Sequence, residues 1–454
     1  MEPIDLSGAI HKLQSTPLDE LQRQIAAGQL SDDLRALLGP ELGAEIERQA
    51  RVGHTRGLPG ERPLVVILPG IIGSSLANVL GDVGTIWLNP LALLAGKLTT
   101  LRLDPSGQRD ESPAVRIVAS GLIPTHYLPI QIYLQTLGGC DVLSFPFDWR
   151  RPPDQAVDAL RQLVVGQFEQ SQRKVHLVGH SMGGLVARNF CLQHPADAAR
   201  AVAQIIQLGT PNYGSCESIR NLTIGSDTAR LAALLNQANA PTDVMRTCPG
   251  LYSMLPVPEQ LYPQQAPLPY PYTGDLAPYD QAAYGSDGVS ARHIRAARAS
   301  YKRLGEAGES PVPITIIAGY DLPTCLGVNR VDGDPGFEFD TCTKQDGDGT
   351  VPLASATALP GATRLYARGL NHGDLPRYLL IQRAVRALVH GEQPEGLETA
   401  PYSTARRGAR AAEPAAPEQP RPGTLGQADL DAIAARIRTG QATTEDVQVL
   451  AGVW

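Results

Sequence analysis

The sequence predicts an α/β fold built on a mostly parallel central sheet flanked by helices. Three observations carry that expectation. Over residues 57–395, short apolar runs rich in β-branched residues alternate with helical stretches, the pattern of βαβ units. The run 64–68 (LVVIL) is apolar throughout, as a strand buried on both faces requires. The stretch 175–190 (VHLVGHSMGGLVARNF) sets a Gly-x-Ser-x-Gly turn between a strand pattern and a helix pattern.

The elements follow in order. Residues 1–56 form a polar extension, in which 18–39 shows the apolar spacing of a short helical hairpin. The sheet begins at Leu64–Leu68 and continues with strands at 142–147, 175–178, 204–208, 314–318 and 363–367. Helices at 154–170, 184–193 and near 375–389 supply the crossovers. Residues 212–313 form a large insertion, rich in Pro and Tyr and with little helical periodicity. It suits a lid or cap over a groove, because tyrosine and proline give a rigid amphipathic surface; a decorated loop without a gating role is the alternative. Residues 396–425 are Ala/Pro/Arg-rich without periodicity and read as a disordered linker. Residues 426–454 return to a helical hairpin pattern. The two ends resemble each other: Leu18-Asp19 to Ile25 and Gly28-Gln29 match Leu430-Asp431 to Ile437 and Gly440-Gln441. If the repeat is real, each apolar face needs a partner, either the other hairpin or another protein; coincidence between two amphipathic helix pairs is the other reading.

Composition narrows the function classes. With 39 Lys and Arg against 46 Asp and Glu, the net charge is −7, so nucleic acid is excluded as a partner. No apolar run reaches the roughly 18–20 residues that span a bilayer; 86–98 contains Pro90 and Lys97. The start, MEPIDLSGAIHKLQ, has neither a basic n-region nor an apolar core. A cytoplasmic location is therefore expected, with a trimmed leader or a non-Sec export route as alternatives. The six cysteines form no CxxC or zinc-like cluster, and DGDGT lacks the later acidic ligands of a calcium loop. No metal or cofactor is called for. Cys216/Cys248 and Cys325/Cys342 are close enough in sequence to pair, while buried free thiols are the plainer reading.

Gly179-His180-Ser181-Met182-Gly183 has the form of a nucleophile elbow, which makes the expected fold an α/β-hydrolase. Such a turn leaves no room for side chains beside it, strains the serine backbone and aims Oγ at the N-terminus of the next helix. A serine needs a base, and the base needs an orienting carboxylate, in the chain order Ser, Asp, His. His372 directly follows the strand pattern 363–367, and Asp348 follows 314–318 after a long loop. Threonine and glycine beside Asp348 offer hydroxyl and backbone donors to the carboxylate. Asp332, Asp334 and Asp346 share its loop and compete with it; His293 and His390 read as surface residues. His180 adjoins the nucleophile, a neighbour that usually points away from the base position. Two backbone N–H groups must meet the oxyanion. Met182, after the nucleophile, supplies one; the turn Pro69-Gly70-Ile71-Ile72-Gly73 supplies the other, with Ile72 the first choice and Ile71 next.

PGIIGSSL, TIWLNP, FPFDWR, GHSMGG, LGTPNYGS and DGDGTVPL occur in that order over residues 64–390. In these motifs the chain resembles the lecithin:cholesterol acyltransferase family, which takes in lysosomal phospholipase A2 and the phospholipid:diacylglycerol acyltransferases. The resemblance implies a lidded α/β-hydrolase with a membrane-touching subdomain that acts on glycerolipid acyl chains. It implies Ser181, Asp348 and His372 as the triad and Ile72 and Met182 as oxyanion donors. It also implies that Trp87 and the Asp148-Trp149-Arg150 trio, with Ile71, line or brace the acyl-binding site. Trp87 among Leu88, Leu91, Leu93 and Leu94 suits a lipid-facing loop and suits a core equally. Asp148 and Arg150 read more as a structural pair than as acting groups. The sequence departs from the family in having no cysteine before Cys140, so binding to lipoprotein surfaces is not carried over.

The chemistry expected is attack of Ser181 on an acyl ester of a glycerolipid or phospholipid, with transient contact to a membrane surface. Water resolving the acyl-enzyme makes a lipase or phospholipase; an alcohol makes an O-acyltransferase. The same residues would serve a deacylase of acylated protein or glycolipid. A protein that binds partners through its terminal hairpins, with the hydrolase core as scaffold, is the reading from another class.

Overall fold

A computed structural model describes residues 40–52, 62–285, 288–333, 336–341, 346–401, 425–443, 446 and 449–450. The first expected hairpin, Asp334, Cys342 and most of the expected linker lie outside these residues.

The central sheet has six strands in the order β11-β8-β7-β6-β1-β5. These are β1 (Leu64–Leu68), β5 (Asp141–Ser144), β6 (Val175–His180), β7 (Val202–Leu208), β8 (Ile314–Tyr320) and β11 (Thr363–Arg368). Every neighbouring pair is parallel, so each connection must cross a face of the sheet, and helices fill both faces. β1 lies between β5 and β6 and is buried along its whole length. The α/β-hydrolase architecture read from the sequence is present.

Helices α1 (Pro40–Val52), α2 (Pro124–Ile132), α3 (Val157–Ser171), α4 (Met182–Gln193) and α7 (Leu379–Val389) surround the sheet. Proline at the first turn of α2 suits that position, where an N–H would have no partner. Leu42 and Ile46 of α1 join the core cluster containing Val65, Ile67, Tyr127 and Leu134.

Two features were not anticipated. An antiparallel sheet, β3-β2-β4, follows β1: β2 (Ser74–Asn78) pairs with β3 (Gly84–Trp87) and with β4 (Ile117–Leu122). A hairpin, β9 (Cys325–Arg330) with β10 (Phe337–Thr341), lies between β8 and Asp348, which accounts for the long loop there.

The insertion is more helical than its Pro/Tyr content suggests. α5 (Asp227–Leu235) and α6 (Ala291–Glu306) lie within it, each capped by a serine hydroxyl that accepts a third-residue N–H, Ser226 from Ala229 and Ser290 from His293. Tyrosines of the insertion pack edge to face, Tyr213 on Tyr262 and Tyr262 on Tyr270. The Tyr262 hydroxyl donates to Ala354 O of the main domain, and the Tyr270 hydroxyl to Val257 O.

The C-terminal helix α8 (Gln427–Arg438) packs on α5. Its apolar face, Leu430, Ile433, Ala434 and Ile437, is buried in the main core cluster. Arg230 donates to Gln427, and Thr228 to Val449 O. The face for which the sequence offered the other hairpin or another protein as partner is therefore covered by α5 of the same chain. Ile433→Asp is expected to free this helix, since an unpaired buried carboxylate costs several kcal/mol. Hydrogen exchange should show protection in 427–438 falling by about 100-fold or more with β6 and β7 unchanged; an unaltered exchange rate in α8 rules out this docking.

Candidate active site

Ser181 lies between β6 and α4, with φ +50° and ψ −123°. A non-glycine residue there is strained by about 1–3 kcal/mol, and close packing of the turn enforces it. A Cβ on Gly179 would come 2.5 Å from Gly184 N, and one on Gly183 2.4 Å from Leu68 O. The Ser181 N–H donates to Leu208 O at 2.9 Å, tying the elbow to the end of β7.

Gly209 follows. Its φ is +58°, and a Cβ there would lie 2.8 Å from His372 Nδ1 and 3.0 Å from Asp348 Oδ2. The chain thus turns without a side chain where the histidine–carboxylate pair must fit. His372 Nδ1 and Asp348 Oδ2 are 2.7 Å apart, and both side chains are buried. The other oxygen of Asp348, Oδ1, accepts N–H groups from Thr350 (3.1 Å) and Val351 (2.7 Å). These donors are both backbone amides; the hydroxyl expected from the neighbouring threonine is not the one used. His372 N–H donates to Asp348 O at 2.9 Å, locking the two loops together. His372 Nε2 is buried without a hydrogen-bond partner. With Nδ1–H directed to the carboxylate, Nε2 holds a lone pair and is the free basic atom of the site.

The competing acids separate by position. Asp332 is exposed, and Asp346 accepts Leu353 N–H on its main chain. His390 is exposed, with Nε2 2.8 Å from Gly138 O. His293, expected at the surface, is buried at the start of α6 against Tyr252. His180 is buried as well: its ring lies 5.0 Å from that of His372, and its Nε2 is 3.0 Å from His372 O.

The turn after β1 is pinned from several sides. Gly73 N–H returns to Gly70 O at 3.1 Å, and Gly70 N–H donates to the Tyr127 hydroxyl at 2.7 Å. Trp87 Nε1–H donates to Ile72 O at 2.7 Å, and Ile72 takes φ +52°. The amides of Ile71 and Ile72 are the ones these contacts leave over. Met182, the first residue of α4, has an N–H with no partner inside its helix.

Trp87 is 2% exposed, whereas Val83 is 70% and Leu91 63% exposed. The indole therefore braces the turn after β1 from within the core, edge-on to Trp149. Arg150 is fully buried, with Nη1 2.8 Å from Asp110 and Nη2 2.7 Å from Asp148. Burial opposes its charge, but Asp148 and then Asp110 hold its pKa above the ordinary value. Arg150 also donates to Leu101 O, so its contacts tie elements of the fold together and none is directed at Ser181 or His372. Asp110, forty residues upstream, went unnoticed in the sequence because nothing local marks it.

Residues 138–273 match the lecithin:cholesterol acyltransferase family model. The chain is 26% identical over 348 residues to a lysosomal phospholipase A and acyltransferase of Bos taurus, covering 65% of this chain and 82% of that protein. A phosphatidylcholine-sterol acyltransferase of Gallus gallus is 33% identical over 90 residues, or 19% of this chain and 22% of that one. Among solved structures, a chain of the Tle4-Tli4 complex superposes with a TM-score of 0.50 at 16% identity. That match covers 73% of this chain and 98% of the other; at such identity the likeness speaks to the fold alone.

Proposed function

We propose that this chain, an α/β-hydrolase carrying a lecithin:cholesterol acyltransferase domain, cleaves acyl esters of phospholipids and related glycerolipids through an acyl-enzyme on Ser181. The observation that carries the reading is His372: Nδ1 held by Asp348, Nε2 buried and unpartnered, with Gly209 packed against the pair and Leu208, just before it, tied to the Ser181 N–H.

In this mechanism His372 Nε2 takes the Ser181 hydroxyl proton as Oγ attacks the ester carbonyl. Asp348 stabilises the imidazolium, and the Ile72 and Met182 amides stabilise the tetrahedral oxyanion. The ester C–O bond then breaks, and His372 returns the proton to the leaving alkoxide, releasing a lyso-lipid. Water or an alcohol, deprotonated by the same histidine, attacks the acyl-enzyme and regenerates Ser181. The exposed Val79, Leu80, Val83 and Leu91 supply apolar surface for contact with a lipid interface.

Mass spectrometry of a mixed lipid extract incubated with the protein, with and without an added long-chain alcohol, tests this. We expect free fatty acid and lyso-lipid from water alone, and a new alkyl ester in whatever share the alcohol competes for the acyl-enzyme. An extract left unchanged, or changed equally by Ser181→Ala, overturns the reading.

A further inference from the structure

Tyr127 and His180 stand outside the triad, yet both are buried and each makes two side-chain hydrogen bonds in one continuous chain. Gly70 N–H donates to Tyr127 Oη at 2.7 Å, Tyr127 Oη lies 2.8 Å from His180 Nδ1, and His180 Nε2 lies 3.0 Å from His372 O. The direction of every proton follows from chemistry. A carbonyl oxygen only accepts, so His180 Nε2 carries the hydrogen. Burial, and next the charge of nearby His372, hold the His180 pKa well below the usual range, so the ring is neutral. Nδ1 then has a lone pair that accepts the Tyr127 O–H, and the phenol oxygen accepts Gly70 N–H. Every N–H and O–H in the chain has an acceptor.

The two ends of this chain are main-chain atoms of different parts of the reaction machinery. One is the turn that carries the Ile72 amide; the other is the backbone of the base. The tyrosine hydroxyl sits within the turn so closely that a Cβ on Gly73 would lie 2.8 Å from it. The turn is also fastened to the start of α2, since Ile123 N–H donates to Gly73 O at 2.9 Å. The chain pairs two buried main-chain groups, Gly70 N–H and His372 O, that a Phe–Leu pair of similar volume would leave unsatisfied. In doing so it also fixes the distance between oxyanion donor and base.

We propose that Tyr127 and His180 are positioning residues of the acyl-transfer reaction, coupling the oxyanion turn at Gly70–Gly73 to the main chain of His372. The inference rests on Ser181 being the nucleophile and adds to it two residues that touch neither substrate nor Ser181 Oγ.

The test uses the full chain and the variants Tyr127→Phe, His180→Leu, their double and His180→Gln. A fluorophosphonate counts functional sites; kcat and KM for a nitrophenyl ester are taken per counted site, with the affinity for an alkyl trifluoromethyl ketone. Removing an oxyanion donor outright costs about 100- to 1,000-fold, so displacing one should cost about 10- to 100-fold. We expect Tyr127→Phe and His180→Leu to lose that much kcat per site, with KM within about twofold, because only the transition state uses the oxyanion turn. Ketone affinity should fall in step with kcat. The double variant should be no worse than the poorer single. His180→Gln, whose amide can donate to His372 O and accept from Tyr127, should regain most of the loss. Wild-type kcat per site in Tyr127→Phe and His180→Leu, even with fewer sites or a lower Tm, makes these residues packing only and overturns the proposal. A wild-type chain that takes no label at Ser181 overturns the nucleophile reading first and this one with it.

Discussion

Ser181→Ala is expected to lose ester turnover by about 10⁵- to 10⁶-fold, and Ser181→Gly to be equally inactive while folding more stably than Ser181→Ala. The first half follows from chemistry: no other hydroxyl occupies the tip of the elbow, and without it His372 has no proton to take. The second follows from φ +50° and ψ −123°, which glycine adopts freely and alanine does not. Glycine has greater freedom in the unfolded chain, which offsets part of this gain. A net advantage of about 1 kcal/mol for glycine over alanine is expected. Nitrophenyl ester turnover and urea midpoints measured side by side decide both halves. Residual activity above the alkaline background, or an alanine variant as stable as the glycine one, contradicts the strained-nucleophile account.

Asp348→Asn is expected to lower kcat by about 10⁴-fold with little change in Tm. The Thr350 and Val351 amides can still be accepted by the side-chain oxygen. The amide NH₂ would then face His372 Nδ1 and force the ring into the tautomer with its hydrogen on Nε2, which cannot accept the serine proton. Asp346→Asn removes a charge two residues away, on a half-buried residue whose main-chain oxygen accepts Leu353 N–H, and should keep turnover within about threefold of wild type. If the two substitutions cost the same, the carboxylate of the triad is misassigned.

What the sequence reveals of this site depends on how local each part is. The elbow is written in sixteen consecutive residues, since strand, turn glycines and helix adjoin, so Ser181 and Met182 could be placed directly. His372 follows the last strand with no insertion and is nearly as plain. Asp348 is harder because β9 and β10 separate it from β8, and only hydrogen bonds at its carboxylate distinguish it from its neighbours. β2, β3 and β4 escaped notice because they are short and β2 meets β4 across some forty residues of chain. Tyr127 carried no signal at all: its partners lie 57 and 53 residues away, and a tyrosine on an apolar helix face looks like ordinary core. The C-terminal helix was recognisable by its apolar stripe, but the stripe does not say which surface covers it.

The strand order has a consequence for synthesis. β11, which delivers His372, is the last strand of the sheet in sequence and, among the described residues, joins it at the edge by pairing with β8. The nucleophile turn and its base are separated by about 192 residues, the interval between His180 and His372. At about 5–20 residues per second a ribosome takes roughly 10–40 s to cover that interval. On the proposed mechanism the emerging chain has its serine during that time but no base to activate it. Ester cleavage then waits until the sheet closes, and any fragment that ends before β11 lacks it.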